Sequence, residues 1–204
     1  MLFETRCAGC DRPGNPVCIT CRFALVGPSP WVGASGVIAA VPFAGRARDV
    51  ILGSKSRNRR AVGRHLAGLL VNRLIESGRL DDVDVVTFAP TAADRQSKRK
   101  LDQGEFIARA VGSQLGLPVR PLLDRHDQER EMGRSQVERC GGPSFAARLK
   151  LEGLGVLIVD DVVTTGATLR EARRALEVAG AHVECAAVAA TPAPAARGLV
   201  GCAA

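Results

Sequence analysis

Residues 155–168 read Gly-Val-Leu-Ile-Val-Asp-Asp-Val-Val-Thr-Thr-Gly-Ala-Thr, and this stretch decides the fold prediction. The apolar run 156–159 is short and rich in β-branched residues, which is typical of a buried parallel strand. Two adjacent carboxylates, Asp160 and Asp161, follow at the predicted carboxyl end of that strand, and a helix is predicted to begin at Leu169. Because ligands bind outside the carboxyl ends of the strands in an open α/β sheet, the stretch predicts a binding site.

The loop ahead of the helix has the composition of a phosphate site. Its small and hydroxyl-bearing residues are Thr164, Thr165, Gly166, Ala167 and Thr168. A loop that enters a helix N-terminus offers free N–H groups and a partial positive charge, and glycine lets the backbone approach a phosphate oxygen. The acid pair cannot bind phosphate, but it can accept hydrogen bonds from sugar hydroxyls or help to hold Mg²⁺. The alternative, a buried strand ending in an Asp-rich turn with a Thr N-cap, accounts for one Asp and one Thr only.

At every position from 156 to 168, the sequence resembles the motif with which type I phosphoribosyltransferases bind 5-phosphoribosyl diphosphate (PRPP). That motif has four apolar residues, two acids, two variable residues and then Thr-Thr-Gly-Ala-Thr. A ribose 5-phosphate with vicinal hydroxyls and a metal-bound pyrophosphate satisfies the demands of both the loop and the acid pair. The resemblance therefore implies PRPP or a related ligand containing ribose 5-phosphate, bound together with Mg²⁺.

A cysteine-rich head precedes this region. It holds two Cys-x-x-Cys pairs, Cys7 with Cys10 and Cys18 with Cys21, whose thiolates can converge on one tetrahedral Zn²⁺. The head has too few apolar side chains to fold alone, so metal would supply its folding free energy, and four thiolates leave no open position for catalysis. The alternatives are disulfides, which fit poorly in a cytoplasmic chain, or a redox pair, which would not be doubled. We predict a structural zinc ribbon over residues 1–27.

The composition is that of a basic protein with a packed core. The chain has 204 residues, of which 46% are hydrophobic, and a net charge of +7. This charge favours an anionic partner, and pyrophosphate compounds and nucleic acid both qualify. Aromatic residues make up only 3%, so a surface for base stacking is poorly supplied. No signal peptide is visible and prolines interrupt the uncharged segment 23–45, so we expect a cytoplasmic protein without membrane insertion.

Strands and helices alternate along the rest of the chain. Strands are predicted at 36–43, 83–89, 118–123, 156–159 and 182–190, and helices at 46–52, 60–77, 103–116 and 169–179. The segment 124–147 is polar and without clear periodicity. The alternation predicts an α/β fold, a mostly parallel sheet flanked by helices, over residues 31–191. The Ala/Pro/Gly-rich tail 192–204 is predicted to be flexible.

A basic cluster follows the predicted strand 83–89. Its cationic residues are Arg95, Lys98, Arg99 and Lys100. Because the cluster leaves the carboxyl end of a strand, we expect it on the same rim of the sheet as Asp160 and Asp161, where cations would stabilise a departing diphosphate. The alternative is a solvated basic loop. A second basic run around the start of helix 60–77 is interpreted as a solvated face or a weak nucleic-acid patch.

Taken in order, these features resemble the ComF/GntX branch of the phosphoribosyltransferase family over roughly residues 5–190. The matching residues are the four head cysteines, Phe43, Gly45, Lys55, Ala89, Pro90, Arg99, Gln103, Gln136, Arg139 and the PRPP motif. The resemblance implies a type I phosphoribosyltransferase-like domain behind a zinc ribbon, with catalytic roles for Lys55 and Arg99. Two residues depart from the family pattern. Lys100 and Asp102 stand where the family has Gly and Asn, and Asp102 is expected to place a negative charge beside the diphosphate site.

Two functions are compatible with this pattern. In the first, the protein is a phosphoribosyltransferase that moves the phosphoribosyl group of PRPP to an acceptor and releases pyrophosphate. In the second, it is a non-catalytic PRPP- or nucleotide-binding accessory protein of DNA uptake, whose zinc ribbon and basic surface bind DNA or a competence protein. The PRPP motif fits both functions, and the altered stretch 99–103 favours the second.

Overall fold

A computed structural model describes residues 5–26, 31–32, 37–55, 59–91, 102–126 and 143–192, with the backbone alone at 31, 32 and 59. The helices are α1 (Ile19–Phe23), α2 (Gly45–Ser54), α3 (Arg59–Ser77), α4 (Gln103–Leu115) and α5 (Ala167–Val178). The strands are β1 (Trp31–Val32), β2 (Ile38–Pro42), β3 (Val85–Phe88), β4 (Leu123–His126), β5 (Ser144–Ala147), β6 (Gly155–Val163) and β7 (His182–Ala190).

The central sheet has the strand order β1-β2-β7-β6-β3. The three pairs formed by β2, β7, β6 and β3 are parallel, and β1 is antiparallel to β2. Strands β4 and β5 form a separate antiparallel pair. The predicted α/β fold with a mostly parallel sheet flanked by helices is confirmed.

Alternate residues of the central strands feed two separate apolar cores, as the twofold period of a strand requires. In β6, Leu157 and Val159 pack in a core with α2, α3 and α4, whereas Val156 and Ile158 pack with α5 on the opposite face. All four side chains are 0% exposed. This two-sided burial explains why the run 156–159 is continuously apolar rather than alternating.

The cysteine-rich head lies against the first of these cores. Cys7, Val17, Cys21 and Leu25 are buried in the same apolar cluster as Val50 of α2. An antiparallel bridge between Arg6 and Pro13 closes the first Cys-x-x-Cys turn, and α1 begins directly after Cys18.

The structure corrects three local predictions. Residues 118–122 do not form the predicted strand 118–123, and Leu123 is the first residue of β4. Val119 makes a single bridge to β3, and the prolines at 118 and 121 have no N–H to extend a ladder. Helix α5 begins at Ala167, two residues before the predicted start at Leu169. Strand β6 continues to Val163, because its pairing with β7 extends to Val163 opposite Ala190, so the acid pair lies within the strand rather than after it.

The flanks of the polar segment 124–147 contain β4 and β5, which the sequence did not indicate. Residue 193 onward, most of the predicted tail, lies outside the described residues. In the part of the chain that is described, no helix combines the length and apolar character needed to cross a membrane.

Candidate functional site

The acid pair lies near the carboxyl end of β6. Asp160 stands opposite Ala187 of β7, and both carboxyl groups are partly exposed. Each carboxylate accepts a hydrogen bond from the next backbone N–H: Asp161 N to Asp160 Oδ1 is 2.7 Å, and Val162 N to Asp161 Oδ1 is 2.8 Å. These bonds fix the orientation of both carboxylates and leave the second oxygen of each for another partner.

Lys55 reaches the acid pair from a different element. It follows the last residue of α2, and its Nζ lies 3.1 Å from Oδ2 of Asp161. The exposed fractions of the two side chains are 34% for Lys55 and 21% for Asp161, so the ion pair is accessible from solvent. Two residues that are far apart in sequence are thus in direct contact. An ammonium in this position can interact with any anionic ligand bound over the acid pair.

The charge of Asp160 is unfavourable in the ligand-free site. Burial and the neighbouring Asp161 carboxylate raise the pKa of Asp160 to about 8, despite the hydrogen bond that it accepts from the N–H of Asp161. Among the residues that the structure describes, no ion pair compensates Asp160, whereas Lys55 pairs with Asp161. Strongly perturbed carboxyl groups of this kind are concentrated at functional sites.

The loop between β6 and α5 presents a helix N-terminus. Gly166 is the N-cap residue of α5 and has φ 73°, in the left-handed region that favours glycine. It gives the first turn no capping side chain, and Thr165 Oγ1 accepts from Ala167 N at 3.4 Å. Thr164 and Thr165 are exposed. A short exposed loop of hydroxyl groups at a helix N-terminus can bind an anion such as phosphate.

Asp102 has a structural role that the sequence pattern was not used to predict. It is 5% exposed and is the N-cap residue of α4: its Oδ1 accepts from Gly104 N at 2.8 Å and from Glu105 N at 3.4 Å. Its Oδ2 accepts from Thr91 N at 2.8 Å. The carboxylate is therefore engaged by backbone N–H groups, and its charge adds to burial and Asp161 in raising the pKa of Asp160. The local signal was present, because Asp-Gln-Gly-Glu at 102–105 places an acid three residues after a capping residue.

The head cysteines converge as a metal site requires. The sulfur atoms of Cys7, Cys10, Cys18 and Cys21 all lie within 4.8 Å of one another, and those of Cys10 and Cys18 are 3.5 Å apart. Four sulfurs around a zinc ion with Zn–S bonds of about 2.3 Å are separated by about 3.8 Å, so the cluster has the size and donor set of a tetrahedral site. None of these four sulfurs is joined to another by a disulfide in the structure.

The thiol pKa values show the same need for a cation. Burial raises the pKa of Cys7, but N–H groups of Cys18, Gly9 and Cys10 outweigh it and lower the pKa to about 6. Burial and the neighbouring sulfurs raise the pKa of Cys21 far above its usual value. Four clustered thiols therefore cannot all ionise without a compensating charge, which a bound metal ion would supply.

The other residues of the predicted site fall into two groups. Arg99 and the other cations of the basic cluster, as well as Gln136 and Arg139, lie outside the described residues. Phe43 follows β2 and its N donates to Ala190 O at the end of β7, and Gly45 is the first residue of α2. The structure thus brings Lys55 to Asp161, and the loop 164–168 continues from the strand that holds the acid pair.

Comparison with known proteins identifies the family. The model of the phosphoribosyl transferase domain matches residues 44–198, which is most of the chain. The chain belongs to the phosphoribosyltransferase family. The expected membership is confirmed, and two similar proteins agree with the ComF-type resemblance. DNA utilization protein YhgH of Salmonella typhi is 23% identical over 81% of this chain and 74% of its own length. Competence protein ComFC of Streptococcus pneumoniae is 30% identical over 45% of this chain and 41% of its own length.

Among solved structures, a similar chain is the glutamine PRPP amidotransferase from B. subtilis complexed with ADP and GMP. It is 23% identical with a TM-score of 0.45, and the match covers 63% of this chain and 26% of that one.

Proposed function

We propose that this protein binds PRPP with Mg²⁺ at the acid pair and the loop 164–168, and transfers the phosphoribosyl group to an acceptor. The observation that carries the proposal is the Lys55–Asp161 contact at 3.1 Å, because it places a cation beside an acid pair just ahead of a helix N-terminus. A sugar with vicinal hydroxyls, a terminal phosphate and a diphosphate matches the acid pair, the helix N-terminus and the cation, respectively.

Each part of the site has a distinct role in the proposal. The loop from Thr164 to Thr168 binds the 5′-phosphate through its hydroxyls and the N–H groups at the start of α5. Asp160 and Asp161 accept hydrogen bonds from the ribose 2- and 3-hydroxyls. Mg²⁺, when bound together with the ligand, would offset negative charge on the diphosphate.

Lys55 would exchange partners when the ligand binds. In the ligand-free structure its ammonium neutralises Asp161, and in the complex it interacts with the diphosphate.

In the proposed reaction, the bond between the anomeric carbon and the diphosphate oxygen breaks, and its electron pair leaves with pyrophosphate. A lone pair of the acceptor forms the new bond to that carbon, and the acceptor loses a proton. Lys55, with Arg99 as the second proposed catalytic residue, would stabilise the charge that develops on the leaving oxygens.

A pyrophosphate-release assay tests this function. Purified protein is incubated with PRPP, Mg²⁺ and a panel of nucleobases and other acceptors, beside a Lys55→Gln variant. The proposal predicts pyrophosphate release that depends on one acceptor class and is strongly reduced in the variant. Release that is equal in both proteins would contradict the assigned role of Lys55.

A second candidate function is a non-catalytic PRPP-binding protein of DNA uptake. It is favoured by the names of the two relatives, which refer to DNA utilization and competence, and by the net charge of +7. In this function the zinc ribbon and basic surface bind DNA or a competence protein. It predicts PRPP binding by calorimetry without pyrophosphate release for any acceptor.

We further propose that Cys7, Cys10, Cys18 and Cys21 bind one structural Zn²⁺. The sulfur cluster supports this proposal by its size, and the small apolar content of the head supports it by the need for metal in folding.

A further inference from the structure

The head touches α2 at points where there is no room for an additional methyl group. A Cβ on Gly9 would lie 2.6 Å from Val50 Cγ2 and 2.9 Å from the sulfur of Cys21. A Cβ on Gly53 would overlap the carbonyl oxygen of Ala8. Such close contact means that a shift of the metal-binding turn cannot be absorbed without moving α2.

The same helix ends at the lysine of the proposed ligand site. Gly53 is two residues before Lys55, and the intervening Ser54 is 1% exposed and donates to Ile51 O at 2.7 Å. Lys55 N donates to Leu52 O at 3.2 Å, which continues the helical path to the lysine itself. The position of the Lys55 backbone is therefore fixed by the end of α2.

We infer that Val50 and Gly53 are positioning residues, through which the cysteine cluster holds Lys55 against Asp161. The path runs from Cys7–Cys10 through Gly9 and Ala8 to α2, and from α2 to the 3.1 Å ion pair. The head is then part of the ligand site rather than an independent appendage. The effect on ligand binding rests on the proposed function, whereas the effect on Lys55 does not.

The test compares two substitutions of the same kind in one core. Val50 and Val111 are both 0% exposed and belong to the same apolar cluster, but Val111 lies on α4 and has no part in the path. Val50→Ala and Val111→Ala remove the same volume. We expect Val50→Ala, and not Val111→Ala, to raise the rate at which acetic anhydride labels Lys55 in the ligand-free protein. Removal of the metal by a chelator should raise it as well.

Calorimetry with PRPP supplies the second readout. Val50→Ala is expected to weaken binding by about two- to tenfold, the lower part of the range found for residues coupled through shared packing. In the Lys55→Gln background the same substitution should have no further effect, and zinc content should be recorded for every variant. Should Val50→Ala prove too unstable, Arg46→Ala can replace it, because it removes the bond from Arg46 Nη1 to Gly9 O (3.2 Å) at an exposed position.

The outcomes separate the two proposals. If the wild-type protein does not bind PRPP, the proposed function fails, and Lys55 labelling still decides whether the head positions Lys55. If PRPP binds but Val50→Ala and Val111→Ala change labelling and affinity equally, or if the effects of Val50→Ala and Lys55→Gln are additive, the positioning role is wrong.

Discussion

At the scale of single residues, Asp160 illustrates a conflict between stability and ligand binding. Its carboxylate is partly desolvated and lies beside another carboxylate, so its ionisation costs free energy in the ligand-free protein. The same charge makes it a strong acceptor for a sugar hydroxyl. A residue that reduces stability while supplying a ligand contact is typical of a functional site.

We predict that Asp160→Asn stabilises the ligand-free protein at alkaline pH. The folded-state pKa of about 8 lies above the ordinary value of 3.8, so the folded chain binds more protons than the unfolded chain between these two values. The stability contribution of this group is therefore complete below about pH 4 and is lost as the pH rises through about 8. The variant should be more stable than wild type by about 1 kcal/mol or more at pH 8, since solvent screens part of the shift.

Urea denaturation of both proteins at several pH values between 4 and 8 measures this difference. Asp81→Asn, at an exposed turn position, serves as the control. A stability difference that stays constant over this pH range would contradict the assignment.

The loop 164–168, which is proposed to bind phosphate, gives a second prediction at this scale. Thr165→Val should weaken PRPP binding several-fold or more, because a hydrogen bond to a charged group contributes about 1.5–3 kcal/mol. Gly166→Ala should weaken it further, since φ 73° is unfavourable for alanine. Competition calorimetry adds a direct check: ribose 5-phosphate should displace PRPP, whereas ribose should not. Equal competition by ribose would show that the loop does not bind phosphate.

At the scale of elements, Asp102 joins two parts of the chain. It caps α4 and also accepts from Thr91 N, just beyond β3, so one carboxylate links α4 to the residues that follow β3. The Asp102 carboxylate orients backbone N–H groups, and its negative charge also acts on Asp160 of the acid pair. The departure from the family's Asn is therefore compatible with an intact fold at this point.

Replacing this cap should destabilise the protein measurably. We predict that Asp102→Ala lowers the free energy of unfolding by about 1–2 kcal/mol, the usual cost of losing an N-cap. Asp102→Asn should cost less, because its amide oxygen still accepts from Gly104 N, although the bond to Thr91 N is lost. Denaturant unfolding of the three proteins tests this order, and an unchanged Asp102→Ala variant would contradict the capping role.

The elements also show how far sequence reasoning reaches. Helices α3 and α4 were predicted to within one residue at each end, because long segments with a regular apolar face carry a strong signal. The strand predicted around Val119 was wrong, because the prediction gave more weight to the apolar residues there than to the two neighbouring prolines. The extension of β6 through Asp160 and Asp161 depends on pairing with β7, which no local pattern reveals. The contact of Lys55 with Asp161 is likewise tertiary, although the family resemblance had named both residues.

At the scale of the whole molecule, the cysteine-rich head and the sheet domain share one apolar core. Burial of Cys7, Cys21 and Val50 in a common cluster couples the folding of the head to that of α2. A metal ion bound by the four cysteines would therefore stabilise the entire chain and not the head alone.

We predict close to one zinc ion per chain in untagged, metal-replete protein. Chelation should lower the temperature of the single melting transition of the whole domain, because the head has no separate core that could unfold alone. Elemental analysis and calorimetric melting before and after chelation measure both quantities. Absence of zinc, or a melting transition that does not respond to its removal, would contradict this view of the head.

The measurement that tests the central claim most directly is the affinity for PRPP, in the presence of Mg²⁺, of the wild-type protein and of the Asp160→Asn, Asp161→Asn double variant. Both substitutions keep the shape of the side chains, and the partly exposed positions should tolerate them without unfolding. We predict that isothermal titration calorimetry detects PRPP binding to the wild type and none to the double variant, while both proteins remain folded by circular dichroism. Unchanged affinity in a folded double variant, or no binding to the wild type, would contradict the account.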